Sequence, residues 1–190
     1  MVSNGNDREV IEACQRGDYD AFATLFETHQ DRVYSIALRF SGDRTTALDI
    51  AQEAFLKLFS KIKEFRGDSS FDSWLYRLVL NTCIDQHRRR RRWLPFLDDF
   101  IDVFRSPAPS ALQDVLCGET RDHVQRAVAK LPADLRAVVI LRYTEGLPYD
   151  AIAEITGCPE GTVASRLNRA HKLLERRLAK FRSGPGGKHA

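Results

Sequence analysis

Apolar residues recur every three or four positions through most of this chain, and no stretch shows the two-residue alternation of a half-buried β-strand. The first periodic segment runs from Phe22 to Phe40 and stops before the turn-forming cluster Ser41-Gly42-Asp43. One face of this segment is apolar along its whole length, as in an amphipathic helix that packs on a core. The periodicity therefore predicts an all-α protein.

Two further periodic segments follow in the N-terminal half. One runs from Leu48 to Phe65, and Leu48 belongs to its predicted apolar face. The loop-forming residues 66–70 end this segment, and the next helix begins near Phe71 and continues into five consecutive arginines. Because three amphipathic helices of this length can close on one core, the sequence predicts a small helical domain.

The regular pattern decays between Trp93 and Gly118, where prolines interrupt the chain and most charged residues are acidic. Helical periodicity returns at Val124 and continues to Phe181. We therefore predict two small helical domains joined by a flexible linker. The predicted parts are an N-terminal domain over residues 1–93, a linker over 94–118, a C-terminal domain over 119–182 and a flexible tail over 183–190.

Composition excludes several classes of protein. Hydrophobic residues make up 43% and charged residues 29% of the 190 residues, as in a folded chain rather than a disordered one. No apolar run approaches the ~18 residues of a membrane span and no secretory signal begins the sequence, so we expect a cytoplasmic protein. Neither cysteines nor histidines have metal-ligand spacing, and no Gly-rich phosphate loop occurs. We expect no cofactor and no enzymatic activity.

The segment from Leu147 to Leu174 has the spacing of a helix-turn-helix. Ala153 is small where two helices would cross, and Gly157 can adopt the left-handed conformation of a tight turn. Val163 can then pack the second helix on the first. In such a unit, the exposed face of the second helix enters the major groove of DNA. Here that face carries Ala164, Ser165, Asn168, Arg169 and Lys172.

A helical hairpin that binds only protein would show the same spacing, so the charges must distinguish the two interpretations. From Arg166 to Arg182 the chain has seven basic residues and a single acidic one, Glu175. With the arginine run 88–92, this makes two basic stretches separated by an acidic one, a pattern that indicates two contacts with a polyanion. The charge distribution favours DNA binding.

Two groups of motifs identify a family. In the N-terminal half they are Asp49-Ile50-Ala51-Gln52-Glu53-Ala54-Phe55, the segment 65–71, Ser73-Trp74-Leu75-Tyr76-Arg77 and Asn81. In the C-terminal half they are Leu131-Pro132, the segment 145–149, Ile152-Ala153 and the segment 161–167. In this order they resemble the extracytoplasmic-function (ECF) sigma factors of bacterial RNA polymerase. The resemblance runs from about Tyr19 to Leu178 and implies an alternative sigma factor that directs promoter-specific initiation.

The resemblance implies roles for residues of the N-terminal domain. In the family, the helix with the Asp-x-x-Gln-Glu pattern docks on a coiled coil of the largest polymerase subunit, which would here involve Asp49, Gln52 and Glu53. The following loop and helix would capture melted non-template bases of the −10 element. The residues implied for the −10 element are Arg66, Gly67, Asp68, Ser69, Ser70, Arg77, Asn81, Arg88, Arg89 and Arg90. Without the resemblance, the acidic face and the arginine run would be interpreted as solvated surfaces.

For the C-terminal domain, the resemblance implies contacts with the double-stranded −35 element and with the polymerase flap. The residues implied for the −35 element are Thr162, Ala164, Ser165, Arg166, Asn168, Arg169 and Lys172. Many relatives have Lys or Arg at the position of Ala164, so the −35 sequence cannot be inferred from another member. Family members are commonly inhibited by an anti-sigma factor, and we expect one here.

A stand-alone helix-turn-helix regulator is the alternative interpretation. Such a protein would bind duplex DNA tightly without polymerase. It would leave the acidic face at 49–53 and the loop at 66–70 without a role.

Overall fold

The computed structural model describes residues 5–93 and 123–182, and every regular element within these two ranges is a helix. The first range contains α1 (Gly5–Arg16), α2 (Tyr19–Ser41), α3 (Arg44–Lys61), a short 3-10 turn (Ile62–Glu64) and α4 (Phe71–Trp93). The second contains a helical segment over residues 123–129 (α5), then α6 (Ala133–Tyr143), α7 (Tyr149–Thr156) and α8 (Glu160–Arg182). The predicted all-α fold is confirmed. The predicted linker and tail lie outside the described residues.

The turn between α2 and α3 joins the two helices tightly. Gly42 ends α2 in the left-handed conformation, with φ of 71°, and its N–H donates to the carbonyl of Leu38. The Asp43 carboxylate then begins α3 by accepting a hydrogen bond of 2.8 Å from the backbone N–H of Thr46. Because the two caps are adjacent residues, α2 and α3 pack against each other along their length.

The N-terminal core consists of apolar faces from α2, α3 and α4. Val33, Ile36 and Phe40 of α2 are fully buried, as the periodicity predicts, and they pack with Ile50 and Leu58 of α3. Burial of each such side chain stabilises the fold by about 1.5–3 kcal/mol. Helix α1 is not predicted by the sequence pattern, because only Ile11 and Cys14 are buried among its residues 8–16.

The C-terminal domain contains the predicted helix-turn-helix. Gly157 ends α7 in the left-handed conformation, with φ of 63°, and its N–H donates to carbonyls of the last turn of α7. Ile152 of α7 and Val163 and Leu167 of α8 are fully buried where the helices cross. The predicted turn and packing residues are therefore confirmed.

The two domains contact each other directly. Helix α2 packs on α6, and α4 packs on both α6 and α7. At the end of α2, Gln125 of α5 donates a hydrogen bond of 2.9 Å to the Arg39 carbonyl. Arg136 of α6 donates one of 2.6 Å to the Phe40 carbonyl. Buried side chains of both domains form one continuous cluster. Within the two described ranges, no helix is long and apolar enough to cross a membrane.

Candidate nucleic-acid and polymerase interfaces

The outer face of α8 presents polar and basic side chains to solvent. All five residues predicted to face the major groove are exposed, namely Ala164, Ser165, Asn168, Arg169 and Lys172. The opposite face buries Val163, Leu167 and Ala170 against the rest of the domain, which fixes the rotation of the helix about its axis. The geometry required of a recognition helix is therefore present.

Two other residues predicted to contact the −35 element, Thr162 and Arg166, are only partly exposed. Thr162 is half-buried, and its carbonyl accepts a hydrogen bond of 2.9 Å from the Ser165 hydroxyl. The Arg166 side chain is only 26% exposed, and its Nε lies 3.7 Å from the carboxylate of Asp134 on α6. Arg166 therefore holds α8 against α6 in this arrangement instead of extending from the outer face.

The loop at residues 66–70 lies between the 3-10 turn and α4, and its ends are held by side-chain hydrogen bonds. Gly67 has φ of 79°, a conformation that a residue with a side chain rarely adopts. Ser70 accepts a hydrogen bond of 3.1 Å from the N–H of Ser73 and so begins α4. Before the loop, the Gln15 amide donates to the carbonyls of Ile62 and Phe65 at 3.0 and 2.8 Å. The exposed loop is thus fixed at both ends.

One face of α4 continues the polar surface from this loop. Arg77, Asn81 and Arg88 are separated by four and seven residues and therefore share a face of the helix, and all three are exposed. Trp74 lies near the start of that face. Its ring is partly buried, with centroids 5.6 Å from Phe65 and 5.9 Å from Phe71. Trp74 is therefore a packing residue.

The three α3 residues predicted to contact polymerase differ in their exposure to solvent. Asp49 and Gln52 are exposed, whereas Glu53 is half-buried. The Glu53 carboxylate lies 2.8 Å from Lys57 Nζ and 3.6 Å from an Nη atom of Arg89 on α4, and it accepts a hydrogen bond from Gln86. Glu53 therefore connects α3 to the basic end of α4, and Asp49 and Gln52 are the open positions.

Exposed apolar residues accompany these polar ones on α3. The prediction that Leu48 packs in the core is wrong, because Leu48 is 60% exposed. Leu56 and Phe59 are 64% and 47% exposed, and with Leu48 and Gln52 they recur every three or four residues along one face. Helical spacing identifies the apolar positions of α3, but it does not say which of its apolar faces is covered.

The basic end of α4 contacts α3. Arg90 Nη1 donates a hydrogen bond of 2.8 Å to the hydroxyl of Thr46, and Arg89 pairs with Glu53. Arg88 is exposed. The three arginines predicted for phosphate contacts are therefore all exposed, where a phosphate backbone can reach them.

Comparison with known proteins agrees with this arrangement. Residues 25–93 match the family Sigma-70 region 2, and residues 121–174 match Sigma-70, region 4. The chain is 36% identical to the RNA polymerase sigma-H factor of Pseudomonas aeruginosa, in an alignment that covers 94% of this chain and 96% of that protein. It is 37% identical to the ECF RNA polymerase sigma-E factor of Escherichia coli K12, with coverage of 94% and 97%.

Solved structures share the fold. CnrH, in its complex with the cytosolic domain of CnrY, superposes with a TM-score of 0.67 at 23% identity, covering 92% of this chain and 97% of that one. The sigma factor RpoE of Bartonella quintana, in complex with the anti-sigma factor NepR, superposes with a TM-score of 0.62 at 27% identity, with coverage of 83% and 96%. The chain belongs to the ECF sigma factors of bacterial RNA polymerase, alternative sigma factors that direct transcription initiation.

Proposed function

We propose that the two domains of this chain read different promoter elements, with the C-terminal domain on the double-stranded −35 element and the N-terminal domain on the melted −10 element. The observation that carries the proposal is the exposed outer face of α8, fixed in rotation by its buried opposite face. A major groove admits one α-helix, and side chains on its open face reach the base edges.

At the −35 element, Asn168 and Arg169 supply the side chains suited to base edges. An Asn amide pairs with adenine and an Arg guanidinium with guanine, whereas Lys172 neutralises a phosphate. Ala164 offers only a methyl group, which suits apolar contact with the methyl of thymine. Thr162 and Ser165 contact the −35 element close to the start of the helix, and Arg166 contributes by holding α8 against α6 through Asp134.

At the −10 element, the loop at 66–70 and the open face of α4 receive bases that have left the duplex. Backbone groups around Gly67 and short side chains of the loop can hydrogen-bond an extruded base, and Asn81 can pair with a base edge. Arg77 and Arg88 neutralise backbone phosphates beside it, together with Arg89 and Arg90. Melting then follows from the capture of bases as they leave the stack.

Polymerase binding uses the open face of α3. Asp49 and Gln52 contact the coiled coil of the largest subunit, and Leu48, Leu56 and Phe59 add apolar area around them. Exposed apolar residues beside polar ones are typical of an interaction site. Glu53 joins α3 to α4 beside this surface through its contacts with Lys57 and Arg89. A second contact with polymerase is made by the C-terminal domain, which binds the flap.

The remaining proposals concern organisation and regulation. The parts of the chain are 1–93, 94–118, 119–182 and 183–190, as the sequence predicts. The protein acts in the bacterial cytoplasm, catalyses no reaction itself, and is inhibited by an anti-sigma factor. The likeness to an anti-sigma-bound sigma factor at 27% identity supports the last point.

Run-off transcription tests the main proposal. Purified core polymerase from the same bacterium is incubated with fragments of its genome, with and without this protein. The expected result is a set of new, discrete start sites that depend on the protein. Binding to duplex DNA without polymerase, together with no initiation, would instead establish the stand-alone regulator.

A charge reversal tests the polymerase surface. Asp49→Lys should weaken binding to core polymerase by about tenfold, because it replaces an exposed acid in the interface with a base. Asp31→Lys makes the same change at an exposed position of α2 and should leave the affinity unchanged. Equal affinities for the two variants would remove Asp49 from the interface.

A further inference from the structure

An exposed pair of side chains joins the end of α6 to the recognition helix. The Tyr143 hydroxyl lies 2.7 Å from Nε2 of His171, and the centres of the two rings are 5.7 Å apart. Both side chains are accessible to solvent, and Tyr143 is 62% exposed. The pair lies outside the set of DNA contacts that the sequence predicts.

His171 belongs to the outer face of α8. It follows Ala164 by seven residues, which is almost two full turns, so the two side chains point in nearly the same direction. Arg169 precedes His171 by two residues and therefore lies about 160° away around the helix. The outer face is thus bordered by Arg169 on one edge and by His171 on the other. Because Ala164 has no polar group, His171 is the polar residue of its edge.

The course of α6 places Tyr143 on the same edge as His171. At the start of α6, the Asp134 carboxylate lies 3.7 Å from Nε of Arg166. At the end of α6, Tyr143 contacts His171. Arg166 and His171 are five residues apart, so they lie about 140° apart around α8. Helix α6 therefore crosses the buried face of α8, and its last residue emerges beside the recognition face.

The dimensions of the major groove give the two edges a partner. The groove is about 12 Å wide, and a helix with its side chains is about 10–12 Å across, so a recognition helix fills the groove. Side chains in the middle of the outer face reach base edges, whereas side chains on its borders lie against the phosphate backbones. We therefore expect Tyr143 and His171 to meet the backbone opposite the one beside Arg169.

The pair keeps a hydrogen-bond donor for an outside acceptor, whichever of its atoms donates. If the Tyr143 hydroxyl donates to Nε2, the neutral His171 ring carries its proton on Nδ1, which can donate outward. If Nε2 donates to the hydroxyl oxygen, the hydroxyl proton is left for an outside acceptor. A protonated ring leaves both donors. Phosphate oxygens are acceptors only, so the chemistry of the pair suits a phosphate in every protonation state of the imidazole.

We propose that Tyr143 and His171 together bind one DNA phosphate beside the −35 element, on the edge of the recognition face opposite Arg169. The inference rests on the proposed function, because it requires α8 to lie in the major groove. The hydrogen bond between the two side chains holds the His171 ring in one orientation before DNA is bound. The contact reads no base, so it strengthens binding to every −35 sequence equally. It also brings a residue from outside the helix-turn-helix into the interface.

Neutral phosphates, introduced one at a time, test the proposal. Holoenzyme is assembled from core polymerase and this protein, and its affinity is measured for a promoter duplex identified by run-off transcription. In a series of duplexes, each phosphate around the −35 element is replaced in turn with an uncharged methylphosphonate. Replacement of the contacted phosphate should weaken binding by about tenfold, because hydrogen bonds to a charged group are lost.

The double variant Tyr143→Phe/His171→Ala locates that phosphate. It should bind the unmodified duplex about tenfold more weakly than the original protein, by the same factor for every −35 sequence. At one phosphate, replacement should weaken the original holoenzyme but cause no further loss with the variant, because the partner of that phosphate is already absent. At the other phosphates the two losses should add. Tyr143→Phe alone covers the case in which His171→Ala disturbs the fold, and it should show the same pattern with a loss of about threefold.

The control is Tyr34→Phe, which makes the same change on α2 and should behave as the original protein at every phosphate. Variants that bind as tightly as this control would overturn the inference. Losses that add at every phosphate would also overturn it, since the pair would then only support α8. Weaker binding to core polymerase would assign the pair to a polymerase contact instead. If holoenzyme with the original protein binds no promoter, the proposed function fails and the inference fails with it.

Discussion

Arg136→Met should destabilise the protein by about 3 kcal/mol. The substitution keeps much of the side-chain volume but removes the donors to the Phe40 and Leu131 carbonyls. Hydrogen bonds that involve a charged group contribute about 1.5–3 kcal/mol each, so two of them give about 3–6 kcal/mol. The lowered pKa of Arg136 shows that lost hydration cancels part of this gain, which places the expectation near the lower end of the range.

The assay is equilibrium unfolding in urea, followed by far-ultraviolet circular dichroism. Arg176→Met, at an exposed position of α8, is the matched control and should change the free energy of unfolding by less than about 0.5 kcal/mol. Because Arg136 joins the two domains, its loss should also divide one transition into two. A change below about 1 kcal/mol, or a more stable variant, would refute the reasoning, since a well-packed apolar residue would then replace the buried charge without loss.

Three further predictions concern single residues. Asn81→Ala should impair open-complex formation, measured by permanganate reactivity of melted thymines, while binding to core polymerase is unchanged; normal melting would remove Asn81 from the −10 surface. Arg169→Ala should weaken −35 binding by about 1–3 kcal/mol on selected sequences if it contacts a base, and equal loss on every sequence would assign it to phosphate. Burial raises the pKa of the Cys83 thiol from 9.0 to about 12. Above pH 9 the folded state therefore keeps a proton that the unfolded state loses, and the free energy of unfolding should fall as the pH rises. At pH 8, Ellman's reagent should modify Cys83 only on unfolding; rapid modification of the folded protein would contradict its burial.

Helix positions and the turn chemistry could be predicted from local sequence. Gly42, Asp43 and Gly157 act within a few residues of their own position, so their effects appear in any short window. The recognition face of α8 could also be predicted from the sequence. Val163 and Leu167 mark the buried side of the helix, and the exposed side lies opposite them.

Residues that act across the fold could not be predicted in this way. Arg136 occurs within an apolar helix, and nothing near it in the sequence indicates that its partner is the end of α2, 96 residues earlier. Glu53 looked equivalent to Asp49 on the helix, yet its carboxylate pairs with Lys57 and with Arg89 of α4. Leu48 looked like a core residue because its spacing is helical, although it is exposed and no element of the described ranges 5–93 and 123–182 covers it. Each difference depends on tertiary neighbours.

The capping of α2 by Gln125 and Arg136 limits how freely the two halves of this protein can be recombined. A chimera that joins its first 93 residues to the C-terminal half of a relative supplies new side chains opposite the Arg39 and Phe40 carbonyls. Unless the donor has matching residues, both carbonyls lose these partners, even if every DNA-contacting residue is retained. Changes at the end of α2 and changes in α5 and α6 should therefore accompany each other during evolution, although promoter recognition by itself places no such demand on them.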